Sequence, residues 1–166
     1  MTAEPAATPA PTPEATPSAT PVATPSPTPS TTPEPVAGNF EVVRSDISWT
    51  EAEQQARQMG GHLAVIRSRA DFDRITALAD IQGLEFVWVG LFRVNGVLQW
   101  VDPEAEGWYN WADGEPSVTD ADGTAENFVL LWRTDSGWVY NDSRNAPAGL
   151  YPAIYSGNMG FVCEYD

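Results

Sequence analysis

Apolar residues recur at helical spacing in two segments of the chain. The first helix is predicted over residues 49–59, with one apolar face and a Gly-Gly pair to end it. The second opens after Ser68 and runs through about Ala79 on the same grounds. In both segments a serine, Ser48 or Ser68, stands three residues before an acid, which is the spacing of a reciprocal capping box. The pattern therefore predicts two amphipathic helices.

Later segments are rich in β-branched and aromatic residues, which favours strands. A short strand at 40–43 precedes the helices, and a longer strand is predicted at 86–94. Asn95-Gly96 then predicts a tight hairpin turn into a further short strand. Three more strands follow, at 126–132, 137–142 and 160–165. Helices early and antiparallel strands late indicate the α+β class.

The segment 102–126 has no apolar periodicity, and an irregular loop of this length inside a compact domain is often functional. It carries no basic residue and eight carboxylates: Asp102, Glu104, Glu106, Asp113, Glu115, Asp120, Asp122 and Glu126. Crowded carboxylates repel one another unless a cation lies among them, and oxygen donors without His or Cys favour Ca²⁺. A solvated acidic loop is the alternative. An EF-hand frame fails, because Val118 would take its first ligand position.

The first 38 residues differ sharply in composition from the rest. They hold 11 of the 15 prolines and no aromatic residue, whereas residues 39–166 hold all the aromatic residues. Such density of proline favours extended polyproline II and disfavours helix. Residues 1–38 are therefore predicted to be a disordered Pro/Thr-rich linker or stalk, with O-linked sugar as a further option. Residues 39–166 are predicted to form one domain.

The formal net charge of −15 excludes several partners. There are eight arginines and no lysine, so the basic footprint that a nucleic-acid binder needs is absent. An anionic membrane surface would repel this chain, and no apolar run reaches the roughly 20 residues that span a bilayer. No segment combines a basic stretch with an apolar core, so no secretion signal is visible.

Single copies of cysteine and histidine limit the chemistry. Cys163 alone excludes an internal disulfide, a cysteine-ligated zinc site and a CxxC motif. His62 would have to serve any His-dependent catalytic arrangement, but its Gly-Gly-His-Leu-Ala setting indicates a structural role. No nucleophile–base pair, phosphate-binding glycine loop or cofactor fingerprint is present. The chain is therefore predicted not to be an enzyme.

Five motifs in order resemble the C-type lectin-like domain family over about residues 40–165. They are the helix segment SWTEAEQQARQMGGHLAVI, WVGL at 88–91, NWADGEPS at 110–117, YND at 140–142 and FVCEY at 161–165. The resemblance implies an α+β fold of two helices and short antiparallel sheets with a long irregular ligand-binding loop.

The resemblance also implies a ligand set. It places Ca²⁺ among five oxygen-bearing side chains: Glu115, Ser117, Glu126, Asn141 and Asp142. The first four would also contact sugar hydroxyls, and Pro116 would follow a cis peptide bond. The longer stretch after Ser117 adds a possible second ion at Asp120 and Asp122.

Three departures from the family pattern matter. Ala56 stands where the partner of Cys163 would be, and Phe128 and a residue near Asn145 replace the other cysteine pair, so both family disulfides are lost. Apolar packing would then replace the bridges, and their loss suits a bacterial chain. Ser117 stands where sugar-binding members have Asn or Asp, which predicts a weakened site.

The predicted function is calcium-dependent carbohydrate binding of the mannose/glucose/fucose type, in a surface or secreted bacterial protein. Its ligand would be a carbohydrate or glycoprotein. The alternative is a calcium-independent adhesin or receptor module that binds protein through the same loop face. The segment 143–159, with Arg144, Tyr151, Tyr155 and Asn158, is a candidate contact surface. Among the tryptophans, Trp49, Trp88 and Trp100 are assigned to the core. A second group is assigned mainly to packing, with stacking on sugar rings as the alternative: Trp108, Trp111, Trp132 and Trp138.

Overall fold

A computed structural model describes residues 39–166, so the predicted linker at 1–38 lies outside the described residues. The described strands are β1 (Asn39–Arg44), β2 (His62–Leu63), β3 (Phe86–Val94), β4 (Val97–Trp100), β5 (Phe128–Thr134), β6 (Gly137–Ser143) and β7 (Met159–Tyr165). The helices are α1 (Trp49–Gln58), α2 (Arg69–Ile81), α3 (Pro147–Leu150) and α4 (Pro152–Tyr155). Every predicted strand is found, with ends shifted by at most two residues, and the α+β class is confirmed.

The strands form one mixed sheet rather than separate antiparallel sheets. Its order is β1-β7-β3-β5-β6, with β2 on β7 and β4 on β3. The prediction of antiparallel pairing is wrong for β3 and β7, which run parallel. The last strand inserts between β1 and β3 and pairs antiparallel with β1. A strand that returns from the end of the chain to the sheet centre leaves no local sequence pattern.

The two long helices begin as predicted, with one difference in the second cap. Ser48 accepts from the Glu51 N–H while the Glu51 carboxylate accepts from the Ser48 N–H at 2.9 Å, a complete capping box. Ser68 likewise accepts from the Asp71 N–H at 3.1 Å, but the Asp71 carboxylate accepts from the N–H of Arg67 instead. The second box is therefore not closed on its own N-cap residue.

The core consists of two hydrophobic clusters, one on each side of the sheet centre. Trp49, Trp88 and Trp100 are all buried, as predicted. The indole N–H groups of Trp49 and Trp88 each donate to a backbone carbonyl, of Val89 at 2.8 Å and of Ile47 at 2.9 Å. Burial of a tryptophan costs little once this single donor is satisfied.

Packing occupies the positions of the family's disulfides. Ala56 and Cys163 are fully buried, and the Cys163 Sγ lies 3.8 Å from the Ala56 carbonyl oxygen. The Phe128 ring lies 5.0 Å from that of Trp49. Asn145 hydrogen-bonds the start of α1 through its backbone carbonyl and its side chain. The Ala56–Cys163 contact joins the two segments that the first bridge would join, whereas Phe128 and Asn145 each contact α1.

No helix among residues 39–166 is both long enough and apolar enough to cross a membrane.

Candidate ligand-binding site

The loop between β4 and β5 is anchored on Tyr140, the residue just before Asn141 and Asp142. The Tyr140 backbone exchanges hydrogen bonds with Asn110 and Ala112, at 2.7 and 2.9 Å. Its fully buried side chain donates to the Trp108 carbonyl at 2.9 Å. Backbone pairing on both sides of Trp111 therefore carries the loop to the end of β6, where the predicted ligands Asn141 and Asp142 lie.

Aromatic rings stabilise this first half of the loop. Tyr109 stacks on Trp111 with ring centroids 6.3 Å apart, and Trp111 lies 5.5 Å from Tyr140. Trp108 lies 5.1 Å from Phe72 of α2. Trp108 and Trp111 are half-buried packing residues, in agreement with the prediction.

The turn at 115–118 brings the predicted ligands together through Ser117. The Glu115–Pro116 peptide bond is cis, as the resemblance implied. The Ser117 N–H donates to Glu115 Oε2 at 2.7 Å and to Asp142 Oδ1 at 3.0 Å. The Ser117 hydroxyl donates to Glu126 Oε2 at 2.7 Å. One serine thus links three of the carboxylates that the family resemblance implied for a single site.

Val118 continues this turn in an unusual backbone conformation. Its φ of +71° lies in the left-handed region, which a β-branched residue rarely adopts. The Val118 N–H donates to Asp142 Oδ2 at 3.0 Å. Asp142 thereby holds two successive N–H groups of the turn, and this contact maintains the strained residue.

Asp142 is fully buried and has a cationic partner that the sequence analysis missed. The Arg93 Nη1 lies 3.1 Å from Asp142 Oδ2, and the Arg93 side chain is only 5% exposed. Arg93 also donates to the backbone carbonyl of Glu126. A buried carboxylate without a partner would cost several kcal/mol. The available signal was an arginine inside the otherwise apolar segment 86–94, because buried charges are almost always paired.

Asp120 and Asp122, the residues expected to hold a second ion, contact another arginine. Arg144, which follows β6, reaches Asp120 Oδ2 at 2.5 Å and Asp122 Oδ2 at 3.0 Å. Hydrogen bonds from Thr124 and then from Arg144 lower the pKa of Asp122 to about 2. These two carboxylates already have a cation, so we do not extend a metal proposal to them.

Glu115 and Glu126 are different, because neither has an arginine within ion-pair distance among residues 39–166. Burial raises the pKa of Glu115, and the neighbouring Asp142 carboxyl raises it further. Burial also raises the pKa of Glu126, as do the charges of Asp142, Asp120 and Glu115. Among residues 39–166, the two glutamates therefore lie near other carboxylates and have no arginine ion pair of their own.

The donor set can be compared with what Ca²⁺ requires. Within residues 39–166, no group of three or more His, Cys, Asp and Glu side chains is arranged to hold a metal alone. The side chains gathered around Ser117 nevertheless present oxygen donors only, and Glu115, Ser117, Glu126 and Asn141 line one cavity of about 330 Å³. Ca²⁺ accepts roughly six to eight oxygens, including hydroxyls, amides and water. The residues fit this ion if water or ligand oxygens complete its shell.

The family is shown by a direct comparison. The Lectin C-type domain model matches residues 45–146, well over half of the chain. The chain belongs to the C-type lectin domain family. Mouse C-type lectin domain family 4 member A is 35% identical over 103 residues, which cover 60% of this chain and 41% of that protein. Rabbit E-selectin is 28% identical over 102 residues, which cover 60% of this chain and 18% of that protein. The chain spans about two fifths or less of the length of these two relatives.

Solved C-type lectin structures share the fold. The C-type lectin domain of murine dendritic cell inhibitory receptor 2, in complex with N-glycan, has a TM-score of 0.58 at 23% identity, covering 79% of this chain and 94% of that chain. The cow C-type carbohydrate-recognition domain of CD23, in the presence of a GlcNAc2Man3 oligosaccharide, has a TM-score of 0.55 at 24% identity. The match covers 75% of this chain and 84% of that chain. The C-type lectin fold inferred from the five motifs is confirmed.

Proposed function

We propose that this C-type lectin domain binds carbohydrate through one Ca²⁺ held by Glu115, Ser117, Glu126, Asn141 and Asp142. The observation that supports this proposal most is the hydrogen bonding of Ser117 to three carboxylates, two of which have no basic partner within residues 39–166. Two partly buried glutamates facing a third carboxylate are unfavourable alone, and a divalent cation would reverse that balance.

Each side chain of the proposed site has its own role in sugar recognition. When bound, the ion supplies coordination positions for two neighbouring hydroxyls of a pyranose. Glu115 and Glu126 accept hydrogen bonds from those hydroxyls, and the Asn141 amide both donates and accepts. Asp142, held by Arg93 and by the 117–118 backbone, fixes the positions of the other donors. Ser117 orients Glu126 and adds one oxygen on a short arm.

The sugar class follows from the order of the ligands. Glutamate at 115 followed by an acceptor at 117 resembles the pattern that selects mannose, glucose and fucose. The murine receptor bound to an N-glycan and the cow domain crystallised with a GlcNAc2Man3 oligosaccharide support glycans of this kind. The ligand proposed here is accordingly a glycan or glycoprotein.

Such a site is expected to bind one sugar weakly. Millimolar affinity corresponds to only about 4 kcal/mol. Several copies presented on a stalk would raise the avidity without any new contact. We accordingly propose that the domain belongs to a surface or secreted protein, with residues 1–38 as its stalk.

One observation favours a second candidate function. Arg93 and Arg144 together neutralise three acids that the metal hypothesis had counted as ligands, namely Asp142, Asp120 and Asp122. The loop face is thus partly held without a metal, which suits a calcium-independent module that binds protein.

Glycan binding in the presence and absence of calcium separates the two functions. The full 166-residue chain is applied to a glycan array in millimolar Ca²⁺ and again after chelation with EDTA. The proposal predicts binding to mannose-, glucose- or fucose-containing glycans that disappears on chelation and returns with Ca²⁺. Glycan binding that persists in EDTA would overturn the calcium site, and no glycan binding under either condition would favour the protein-binding module.

A further inference from the structure

A second cavity adjoins the proposed sugar site and has a different character. It encloses about 220 Å³ and is lined by Phe86, Trp132, Asn141, Ile154 and Tyr155. Three of these residues, Asn141, Ile154 and Tyr155, also line the larger cavity beside the carboxylates. The two cavities are therefore adjacent and share the wall formed by these three residues.

The walls of the second cavity are apolar and accessible. Ile154 is 52% exposed and Trp132 is 38% exposed, although both are large hydrophobic side chains. The Tyr155 ring packs against Phe86 with centroids 4.5 Å apart, so its orientation is fixed. Within residues 39–166 no hydrogen bond engages the Tyr155 hydroxyl. The cavity thus combines aromatic surfaces with an unused hydroxyl and the Asn141 amide.

The segment that forms this wall is anchored at both ends. Arg144 lies 5.6 Å from the Tyr151 ring and also binds Asp120, which ties α3 and α4 to the acidic loop. On the other side, the Asn158 carbonyl accepts from the backbone N–H groups of Glu85 and Phe86. The exposure of Ile154 therefore belongs to a fixed surface. This segment also lies beyond residues 45–146, which the family model matches.

We propose that Trp132, Ile154 and Tyr155 form a subsite for a second sugar residue of an oligosaccharide, next to the sugar held at the carboxylates. This inference rests on the proposed function. A pyranose has an apolar C–H face and a polar rim, which match the aromatic walls and the hydroxyl and amide of the cavity. The acidic surroundings disfavour anionic ligands. The domain thereby selects oligosaccharides over single sugars.

The test compares single sugars with disaccharides by calorimetric titration of the full chain in Ca²⁺. The probes are methyl glycosides of mannose, glucose and fucose, and disaccharides that carry these sugars in their common linkages. We expect at least one disaccharide to bind about fivefold to tenfold tighter than its methyl glycoside, the size of one aromatic contact. Trp132→Thr should remove most of this gain and leave the affinity for the methyl glycoside unchanged, because Trp132 lines only the second of these two cavities. Ile154→Ser should also remove most of the gain.

Two further variants sharpen the test. Tyr155→Phe retains the ring and should retain most of the gain in affinity for the disaccharide over its methyl glycoside. Ile81→Ser, which removes an apolar side chain that is 82% exposed elsewhere, should change neither affinity.

Four outcomes would overturn the subsite. Equal affinities for methyl glycosides and all disaccharides would remove it and leave the primary site intact. A gain that survives both Trp132→Thr and Ile154→Ser would place the second sugar elsewhere. An octyl glycoside that outcompetes every disaccharide would assign the cavity to an apolar aglycone. If no methyl glycoside binds with or without Ca²⁺, the primary site fails and the subsite with it.

Discussion

The acidic loop contains two carboxylate pairs that look alike in sequence and differ in the structure. Asp120 and Asp122 share the guanidinium of Arg144, whereas Glu115 and Glu126 share only the hydrogen bonds of Ser117. Hydrogen bonds from Thr124 and then from Arg144 lower the pKa of Asp122 to about 2, whereas burial first and neighbouring carboxyls second raise the pKa values of Glu115 and Glu126. The first pair needs no added cation. Negative charge density alone therefore does not predict a metal site; carboxylates without an arginine partner are the better candidates.

Removal of Arg93 should have the largest effect on the fold. Arg93→Leu leaves Asp142 buried and unpaired, which typically costs about 3–5 kcal/mol. We expect a large fall in the thermal midpoint of the metal-free protein, measured by circular dichroism.

Arg133→Leu is the matched control for this change. Arg133 also makes an arginine–aspartate pair, with Asp80, but its side chain is 54% exposed. Exposed pairs contribute about 1 kcal/mol or less. Equal losses in the two variants would show that Asp142 does not depend on Arg93.

Glu126→Gln should remove the response to calcium. A ligand at about 100 times its dissociation constant stabilises the native state by about 2.7 kcal/mol. We expect millimolar Ca²⁺ to raise the thermal midpoint of the unmodified chain and to leave that of Glu126→Gln unchanged, because the isosteric amide lacks the charge.

Glu104→Gln makes the same change at an exposed position of the same loop. It should keep the full calcium shift. Loss of the shift in both variants would mean that loop charge in general, rather than the cluster around Ser117, attracts the ion.

Arg144→Gln should leave Asp120 and Asp122 without an arginine partner, which is the situation of Glu115 and Glu126. Asp120 and Asp122 would then face each other without a cation, and the loop should open more easily. We expect faster amide hydrogen exchange at 119–125 in EDTA and its suppression by Ca²⁺. Exchange unchanged from that of the parent chain would show that Arg144 does not hold this part of the loop.

Ser117→Ala should have the smallest effect. It removes one hydrogen bond to Glu126, worth about 1 kcal/mol, which is roughly a fivefold change in calcium affinity. Ser117→Asn should tighten calcium and sugar binding, because its longer arm carries an amide oxygen. If Ser117→Asn weakens both, the serine is an adaptation of this site rather than a weakened version of the family pattern.

Features encoded by neighbouring residues could be predicted from the sequence. The Ser48 capping box and the Asn95-Gly96 turn are local patterns, and both are found; Asn95 and Gly96 have φ values of 50° and 82°. The gathering of Glu115, Glu126 and Asp142 was expected only through the family resemblance, because these residues are far apart in the chain.

The missed features depend on contacts across the fold. Arg93 reaches Asp142 from another strand, and Arg144 reaches back to Asp120 over more than twenty residues of sequence. The helices α3 and α4 have four residues each, too few to show a period, and each begins with proline. Sequence reasoning therefore proposed acids that the structure brings close together, but it missed the arginines that pair with some of them.

The number of calcium ions bound by each chain tests the central claim most directly. Isothermal titration of the metal-free 166-residue chain with CaCl₂ should give one ion per chain, and Glu126→Gln should give none. A stoichiometry of zero would mean that Arg93 and Arg144 satisfy the loop without metal. A stoichiometry of two would contradict the assignment of Asp120 and Asp122 to Arg144.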